Sequence, residues 1–113
     1  MKQKLLILVM LFASSYGFSQ ISISAARALG VGATVTVKGI VTNGDELGPI
    51  RYIQDATGGV AAYSSTLSTV LRGDSILITG VLKNYNQLLE IDPVTSFTVI
   101  NSGNTLPTPE LIV

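Results

Sequence analysis

One stretch decides the predicted fold: LRGDSILITGVLKNYNQLLEI, at residues Leu71–Ile91. Its first half, Asp74–Lys83, is rich in β-branched and aliphatic residues, with apolar side chains recurring at alternate positions. That alternation predicts a strand with one buried face. Gly80 interrupts the strand, and a lone glycine inside a strand indicates a bulge or a sharp bend where side chains would otherwise collide.

The residues that follow predict a hairpin and a short last strand. Asn84-Tyr85-Asn86 has the composition of a turn, and Gln87–Ile91 reads as the fifth strand. We expect Pro93 to stop that strand because proline cannot donate a ladder hydrogen bond. Ser96–Ile100 then predicts a short sixth strand.

The residues that precede the stretch predict three more strands. Thr34–Thr42 begins with polar and apolar residues in alternation, and Gly39 interrupts it as Gly80 interrupts the fourth strand. Ile50–Gln54 and Val60–Tyr63 are the second and third strands. The tight turn between them, at 55–59, makes the pair a hairpin.

A short helical pattern separates the third and fourth strands. Leu67, Val70 and Leu71 fall at i, i+3 and i+4, which predicts two turns of helix over Ser64–Arg72. Ser64 or its neighbour is a suitable cap at the amino end. Gly73 is suitably placed to end the helix.

This element order predicts an all-β chain that closes into a small barrel of five to six strands. Five strands with one short helix between strands three and four is the order of an OB-fold barrel. The alternative is a six-stranded β-sandwich. Gly39 and Gly80 favour the barrel because its long first and fourth strands must bend sharply.

Thr34–Ile91 also resembles the OB-fold domains of exported bacterial proteins, including the amino-terminal parts of secreted bacterial nucleases. The matching segments are VTVKGIVT at Val35–Thr42, YIQDATGGVAAY at Tyr52–Tyr63 and the opening stretch at Leu71–Ile91. The resemblance implies an OB-like barrel, and nucleic-acid binding is the function it suggests. Secreted nucleases of this kind carry catalysis in a separate domain, so the resemblance implies no active site in this region.

The amino terminus has the pattern of a secretory signal peptide. Lys2 and Lys4 precede an unbroken apolar run at Leu5–Ala13, and Gly17 and Ser19 are small residues two positions apart. We expect cleavage after Ser19. A transmembrane anchor is the alternative, but spanning a bilayer takes about 20 apolar residues.

These patterns divide the chain into four parts. We expect a signal peptide at 1–19, an amino-terminal arm at 20–33, the OB-like barrel at 34–101 and a proline-containing linker at 102–113. The arm is either a helical turn leading into the barrel or an extended segment. The predicted location is secreted or periplasmic, without a stable membrane anchor.

The composition excludes several kinds of chemistry. Among 113 residues there is no Cys and no His, so thiolate catalysis, disulfides and histidine metal sites are ruled out. We therefore predict a non-enzyme with no cofactor and no metal. After cleavage, five basic side chains face seven acidic ones, so the net charge is −2. That balance argues against strong binding through phosphates alone.

OB barrels bind single strands on the face of strands two and three, flanked by the loops after strands one and four. The candidate ligand-binding residues in those positions combine aromatic, basic and amide side chains: Arg51, Tyr52, Tyr63, Lys83, Asn84, Tyr85 and Asn86. Strand alternation puts Arg51 and Tyr52 on opposite sides. The competing interpretation is that Tyr52 packs in the core and Tyr63 holds the hairpin.

Two functions remain open at this point. One is an exported binding module for an extended ligand, with single-stranded nucleic acid as the partner that the resemblance suggests. The other is a structural or protein-interaction domain of an envelope or secreted assembly. Glu90 and Asp92 share one face of their strand, where solubility at an exposed edge is the expected role.

Overall fold

A computed structural model describes residues 19–108 of the chain. Five strands and one α-helix make up its regular structure, with a short 3₁₀ helix at Asp45–Leu47 and another at Ser65–Thr69. The helix and strands are α1 (Ile23–Leu29), β1 (Thr34–Val41), β2 (Ile50–Gln54), β3 (Gly59–Tyr63), β4 (Ser75–Tyr85) and β5 (Leu88–Asn101).

The five strands close into a barrel in the order β1-β2-β3-β5-β4, with β4 returning to β1. Every pairing is antiparallel except that of β3 with β5, which is parallel and spans two residue pairs. The predicted all-β barrel is confirmed, and the sandwich alternative is wrong. Strand alternation sends one set of side chains inward, where they form the core: Val35, Val37, Val41, Ile53, Val60, Ala62, Ile76, Ile78, Leu82 and Ile91.

The two strand glycines mark places where the backbone is crowded. A Cβ at Gly39 would lie 2.6 Å from Cγ2 of Ile53 and 2.8 Å from the carbonyl oxygen of Gln54. A Cβ at Gly80 would collide with Ile91 and with the carbonyl oxygen of Pro93. The predicted crowding is therefore confirmed at both glycines, and the predicted bulge is confirmed at Gly80. Only Gly80 accompanies shifts in register.

The predicted end of the fifth strand at Pro93 is wrong. β5 continues through Pro93 to Asn101, so the expected fifth and sixth strands are one element. The pairs Gly80–Val94 and Leu82–Ile91 leave two residues of β5 opposite one residue of β4. Proline is tolerated in this strand because it sits in that bulge, where the ladder is already interrupted.

The connection before β4 is helical, as expected, but it is a 3₁₀ helix. Ser64 caps it by accepting a hydrogen bond from the Thr66 amide at 3.2 Å. Leu67 and Val70 are buried, whereas Leu71 is exposed. The expected burial of Leu71 is wrong because the helix ends at Thr69 and the backbone is extended at Val70, so Leu71 does not share a helical face with Leu67.

The amino-terminal arm contains the helix α1, which rests on the barrel. Ser22 caps it by accepting from the Ala25 amide, and Ile23 and Ala26 are buried. Asp55, in the β2–β3 turn, accepts a hydrogen bond from the Ile23 amide at 2.9 Å. Between residues 19 and 108, no helix has the length and apolar character needed to cross a bilayer.

Residues beyond the barrel also bind to it. The Asn104 amide and side chain both donate to the carbonyl of Gly73, each at 2.9 Å. The side-chain amide of Gln54 donates to the Thr108 carbonyl at 2.7 Å. A chain of residues 20–113 therefore holds the complete barrel with its helix. The expected signal peptide at 1–19 lies almost wholly outside the described residues.

Candidate functional site

The outer face of the barrel carries a row of residues that crosses four strands. Tyr52 on β2 pairs with Ala61 on β3, Ala61 pairs with Glu90 on β5, and Glu90 pairs with Lys83 on β4. Directly paired residues in a sheet point to the same side. The row therefore aligns an aromatic, a small residue, a carboxylate and an ammonium group on one surface.

A groove opens along this row towards the β4–β5 hairpin. It has a volume of about 190 Å³ and is lined by Tyr63, Lys83, Tyr85, Glu90 and Asp92. We call it the tyrosine groove. Pockets for drug-sized ligands measure roughly 300–1,000 Å³, so this groove is suited to one flat ring or one side chain.

Tyr63 and Tyr85 form the aromatic walls of the groove. Tyr63 is the last residue of β3 and is 47% exposed; Tyr85 ends β4 and is 57% exposed. Glu90 lies between the two tyrosines along β5. Tyr85 is opposite Leu88, two residues before Glu90, and Tyr63 lies two residues beyond Ala61, the partner of Glu90 on β3.

The charges in the groove are unevenly balanced. Lys83 Nζ lies 3.3 Å from Oδ2 of Asp92, so the one ammonium group that lines the groove is already paired. Glu90 is 3% exposed. Burial raises the pKa of the Glu90 carboxyl above its usual range, nearby Asp92 raises that pKa further, and Lys83 opposes the shift.

Three of the seven candidate residues come together in the groove: Tyr63, Lys83 and Tyr85. Tyr52 is half-buried and stands on the same outer face, two strands or about 10 Å from Glu90 by strand spacing. It borders the groove without lining it. The core position considered for Tyr52 is not where the structure places it.

Arg51 lies away from the groove. Its side chain is fully buried and donates to the carbonyls of Val70, Gly48 and Ile50, while Nη2 lies 2.6 Å from Oδ1 of Asp45. Every one of these acceptors belongs to the chain itself. The expectation that Arg51 contacts a ligand is wrong because burial leaves its guanidinium no access to one.

The hairpin residues play a structural part. β4 continues through Asn84 and Tyr85, so the turn consists of Asn86 and Gln87, which both have positive φ. The observed turn therefore overlaps the predicted turn at 84–86 only at Asn86. Asn84 accepts a hydrogen bond from the Gln87 amide at 2.9 Å and stands on the face opposite Lys83, whereas Asn86 stays exposed at the tip.

Sequence reasoning missed Glu90 and Asp92 as parts of the site. Their i, i+2 spacing did place them on one face, but the role expected for them was solubility at an exposed edge. Burial of Glu90 shows that this interpretation is wrong for that residue. The signal that could have found the site is the hairpin register, which sets Glu90 directly opposite Lys83.

A second, more open depression of about 340 Å³ lies on the other part of the barrel wall, beside Lys38, Gln54 and Ser75. It has no aromatic lining residue. Within residues 19–108, no three carboxylates gather in an arrangement that could hold a metal ion. In the 43–49 loop, Asp45 and Glu46 instead pair with Arg51 and Arg72.

The chain is similar to an endonuclease of known sequence. It is 34% identical over 101 residues to endonuclease YhcR of Bacillus subtilis, a match that covers 80% of this chain. The chain spans only 8% of the length of that relative. No protein-family profile matches the chain.

The fold is also found among solved structures. The barrel superimposes on the hypothetical protein YgiW from E. coli with a TM-score of 0.58, covering 76% of this chain and 92% of that protein. Sequence identity between the two is 19%, so the likeness concerns the fold alone. Both comparisons agree with an OB-like barrel, the coarse resemblance noted in the sequence.

Proposed function

We propose that this chain is a non-catalytic binding module that holds single-stranded nucleic acid in the tyrosine groove. The observation that carries the proposal is the pair of exposed tyrosines, Tyr63 and Tyr85, on either side of a narrow groove on the outer face. OB barrels bind single strands by stacking bases on such aromatic side chains. Each stacked base contributes roughly 1–3 kcal/mol.

Similarity to part of an endonuclease supports a role beside nucleic acid. The matched region is a small fraction of that enzyme, so the similarity is compatible with a module that assists binding. The chain contains no His and no Cys, the residues that most often supply a general base or a strong nucleophile. For these reasons the proposal assigns binding and no catalysis.

Export is part of the same proposal. The two lysines at the start, the nine-residue apolar run at Leu5–Ala13 and the small residues before Gln20 support a cleaved signal peptide. The test is the mass of the chain recovered from the periplasm or medium of an expressing bacterium. A chain that begins at Gln20 supports export, and retention of residues 1–19 contradicts it.

The groove predicts weak binding with a small dependence on salt. Lys83 is the one cation that lines it, and single strands lose affinity with a slope of about −0.7 per neutralised phosphate. Because Lys83 is already paired with Asp92, the loss between 20 and 150 mM salt should stay below the roughly fourfold change that one full phosphate contact gives. Stacking on tyrosines, which salt hardly affects, supplies the rest.

The experiment is fluorescence anisotropy of labelled single-stranded DNA and RNA with residues 20–113, at about 20 and about 150 mM salt. We expect binding that Tyr63→Ala and Tyr85→Ala each weaken by about fivefold or more. Leu71→Ala is the matched control, because Leu71 is equally exposed but precedes the opposite end of β4. Lys83→Ala removes the cation that lines the groove. Lys38→Ala is its charge control, because Lys38 lies beside the other depression. Absence of binding up to about 100 µM, or equal losses in the controls, contradicts the proposal.

A second candidate function rests on a different observation. β3 and β5 pair over two residue pairs only, as do β1 and β2, and these two seams are the shortest in the barrel. An extended protein segment could add to the edge of β3 by main-chain hydrogen bonds. Docking of a protein segment would not depend on the tyrosines of the groove, and this chain would then not bind the labelled oligonucleotides. The anisotropy series therefore separates the two candidate functions.

A further inference from the structure

Glu90 is a buried carboxylate without a hydrogen-bond donor among the residues that the structure describes. It is 3% exposed and lines the tyrosine groove. The neighbouring Lys83 ammonium lies opposite Glu90 in the ladder, yet its ion pair is with Asp92. Burial covers the stem of the Glu90 side chain, while its carboxylate oxygens keep access to the groove, where a ligand can donate to them. The groove therefore has an unused acceptor between two aromatic walls.

The chemistry of Glu90 limits which bases could satisfy it. An ionised carboxylate only accepts hydrogen bonds. Cytosine presents an N4 amine, adenine an N6 amine and guanine an N2 amine, whereas thymine and uracil have no exocyclic amine and carry a carbonyl oxygen, O4, where cytosine has N4. An amine donates to a carboxylate, and a carbonyl oxygen in the same position repels it.

We propose that Glu90 accepts a hydrogen bond from the exocyclic amine of a base stacked in the tyrosine groove, so that the chain prefers cytosine and adenine to thymine and uracil. The inference rests on the proposed nucleic-acid binding and names the part of the ligand that is read. The burial of Glu90 and its position in register between Tyr63 and Tyr85 carry it. The raised pKa of the carboxyl agrees with a group that lacks donors in the free protein.

The groove also has features that would suit a cationic side chain from a protein. Two carboxylates and two tyrosines attract cations through charge and through the faces of the rings. The Lys83 ammonium is paired with Asp92 and so opposes a second cation only weakly, but similarity to part of an endonuclease favours a nucleic acid in the groove. The nucleobase is therefore the favoured occupant, and a cationic peptide is an outcome that the experiment distinguishes.

The test compares oligo-dC with oligo-dT of equal length, about ten nucleotides, which lies within the site size of one OB fold. Anisotropy is measured with residues 20–113 at low salt and about pH 7.5, where the cytosine ring is neutral. We expect oligo-dC to bind about tenfold more tightly than oligo-dT. Glu90→Gln, whose amide both donates and accepts, should bring the two affinities within about twofold.

Glu46→Gln is the matched control. Glu46 carries the same charge on an exposed loop away from the groove, where it pairs with Arg72. Its replacement should leave the ratio of dC to dT binding unchanged. Thermal unfolding of both variants confirms that each one is folded before the ratios are compared.

The remaining outcomes separate the failure of this inference from the failure of the proposed function. Equal binding of dC and dT by the unchanged chain overturns the role of Glu90 and leaves nucleic-acid binding intact. If Glu90→Gln strengthens the binding of both oligonucleotides equally, Glu90 acts only by repelling phosphates. That outcome also overturns its role in reading the base. If neither binds and an oligolysine peptide does, both proposals fall and the groove is a site for cations.

Discussion

Lys83 and Asp92 form an ion pair between β4 and β5, with 3.3 Å from Nζ to Oδ2. Both side chains line the tyrosine groove, so the pair neutralises the cation that a phosphate would contact. The groove then has aromatic walls and the Glu90 carboxylate for a nucleic acid to contact, and its one cation is already paired. That relationship explains why we expect base stacking, and not phosphate contact, to dominate binding.

Asp92→Asn should strengthen binding because it releases Lys83 for a phosphate. We expect affinity at low salt to rise by about fivefold and the salt slope to steepen by about 0.7. Because the gain comes from the phosphate, oligo-dC and oligo-dT should benefit equally. The measurement is the anisotropy titration at two salt concentrations. An unchanged slope would mean that Lys83 does not reach the strand.

Arg51 and Asp45 should contribute very unequally to stability although they form one ion pair. Arg51 is fully buried and satisfies three backbone carbonyls, whereas the Asp45 side chain is 76% exposed. Arg51→Met leaves those carbonyls without their donor and should cost about 2 kcal/mol or more. Asp45→Ala lets water replace the carboxylate and should cost under about 1 kcal/mol.

Urea unfolding of the two variants measures the difference. Arg51→Met should also leave oligonucleotide binding unchanged at concentrations of urea where the chain stays folded, because Arg51 lies outside the groove. A selective loss of binding with full stability would instead make Arg51 a ligand contact.

Asp55 should stabilise the chain in a pH-dependent way. Burial raises the pKa of its carboxyl, but hydrogen bonds from Thr57, Ile23 and Gly58 outweigh burial, and the net shift is downward. A lowered pKa means that the stabilisation is complete above the ordinary aspartate value and is lost as pH falls through the folded value. Asp55→Ala should therefore cost about 1–3 kcal/mol near neutral pH and progressively less in acid.

Urea unfolding from about pH 7 down to about pH 2 tests this dependence, since an ordinary aspartate has a pKa of about 3.9. Thr57→Val is the control, because it removes the hydroxyl that donates to Asp55 and accepts from the Ser24 amide, and leaves the backbone donors to Asp55 in place. A cost of Asp55→Ala that does not change with pH would show that ionisation of this carboxyl plays no part.

Alanine should be tolerated very differently at three glycines. At Gly39 and Gly80 a Cβ meets the neighbouring strand, including backbone atoms that cannot move aside cheaply. Overpacking of this kind costs about 1–3 kcal/mol or more. Gly58, in the β2–β3 turn, has open space around its Cβ position and no positive φ, so Gly58→Ala should be neutral or stabilising by about 0.5 kcal/mol. The thermal midpoints of the three variants test this: they should fall for the alanines at Gly39 and Gly80 and should not fall for Gly58→Ala.

Strand patterns and glycines predicted most of the fold, because alternation and crowding are local properties that the residues display directly. The bulge at Pro93 was missed because it depends on the β4 register opposite it. Leu71 was misplaced because the helix is shorter than the i, i+3, i+4 pattern suggests: it ends at Thr69, and Val70 is extended.

The candidate site could be predicted only in part. Tyr63, Lys83 and Tyr85 were recognisable as aromatic and basic side chains in the places where OB barrels bind ligands. Glu90 was missed because its burial depends on three strands meeting, and pairing between β3 and β5 joins residues far apart in the sequence. Arg51 was misassigned because its type suggested a phosphate, while its surroundings supply four acceptors from the chain itself.

The most direct measurement of the central claim is an amide NMR titration of residues 20–113 with oligo-dC. Binding in the tyrosine groove predicts shift changes concentrated at Tyr63, Lys83, Tyr85 and Glu90, with Lys38 and Ser75 on the other part of the wall unaffected. Changes confined to the Lys38 and Ser75 side, or no changes at saturating oligonucleotide, would contradict the claim.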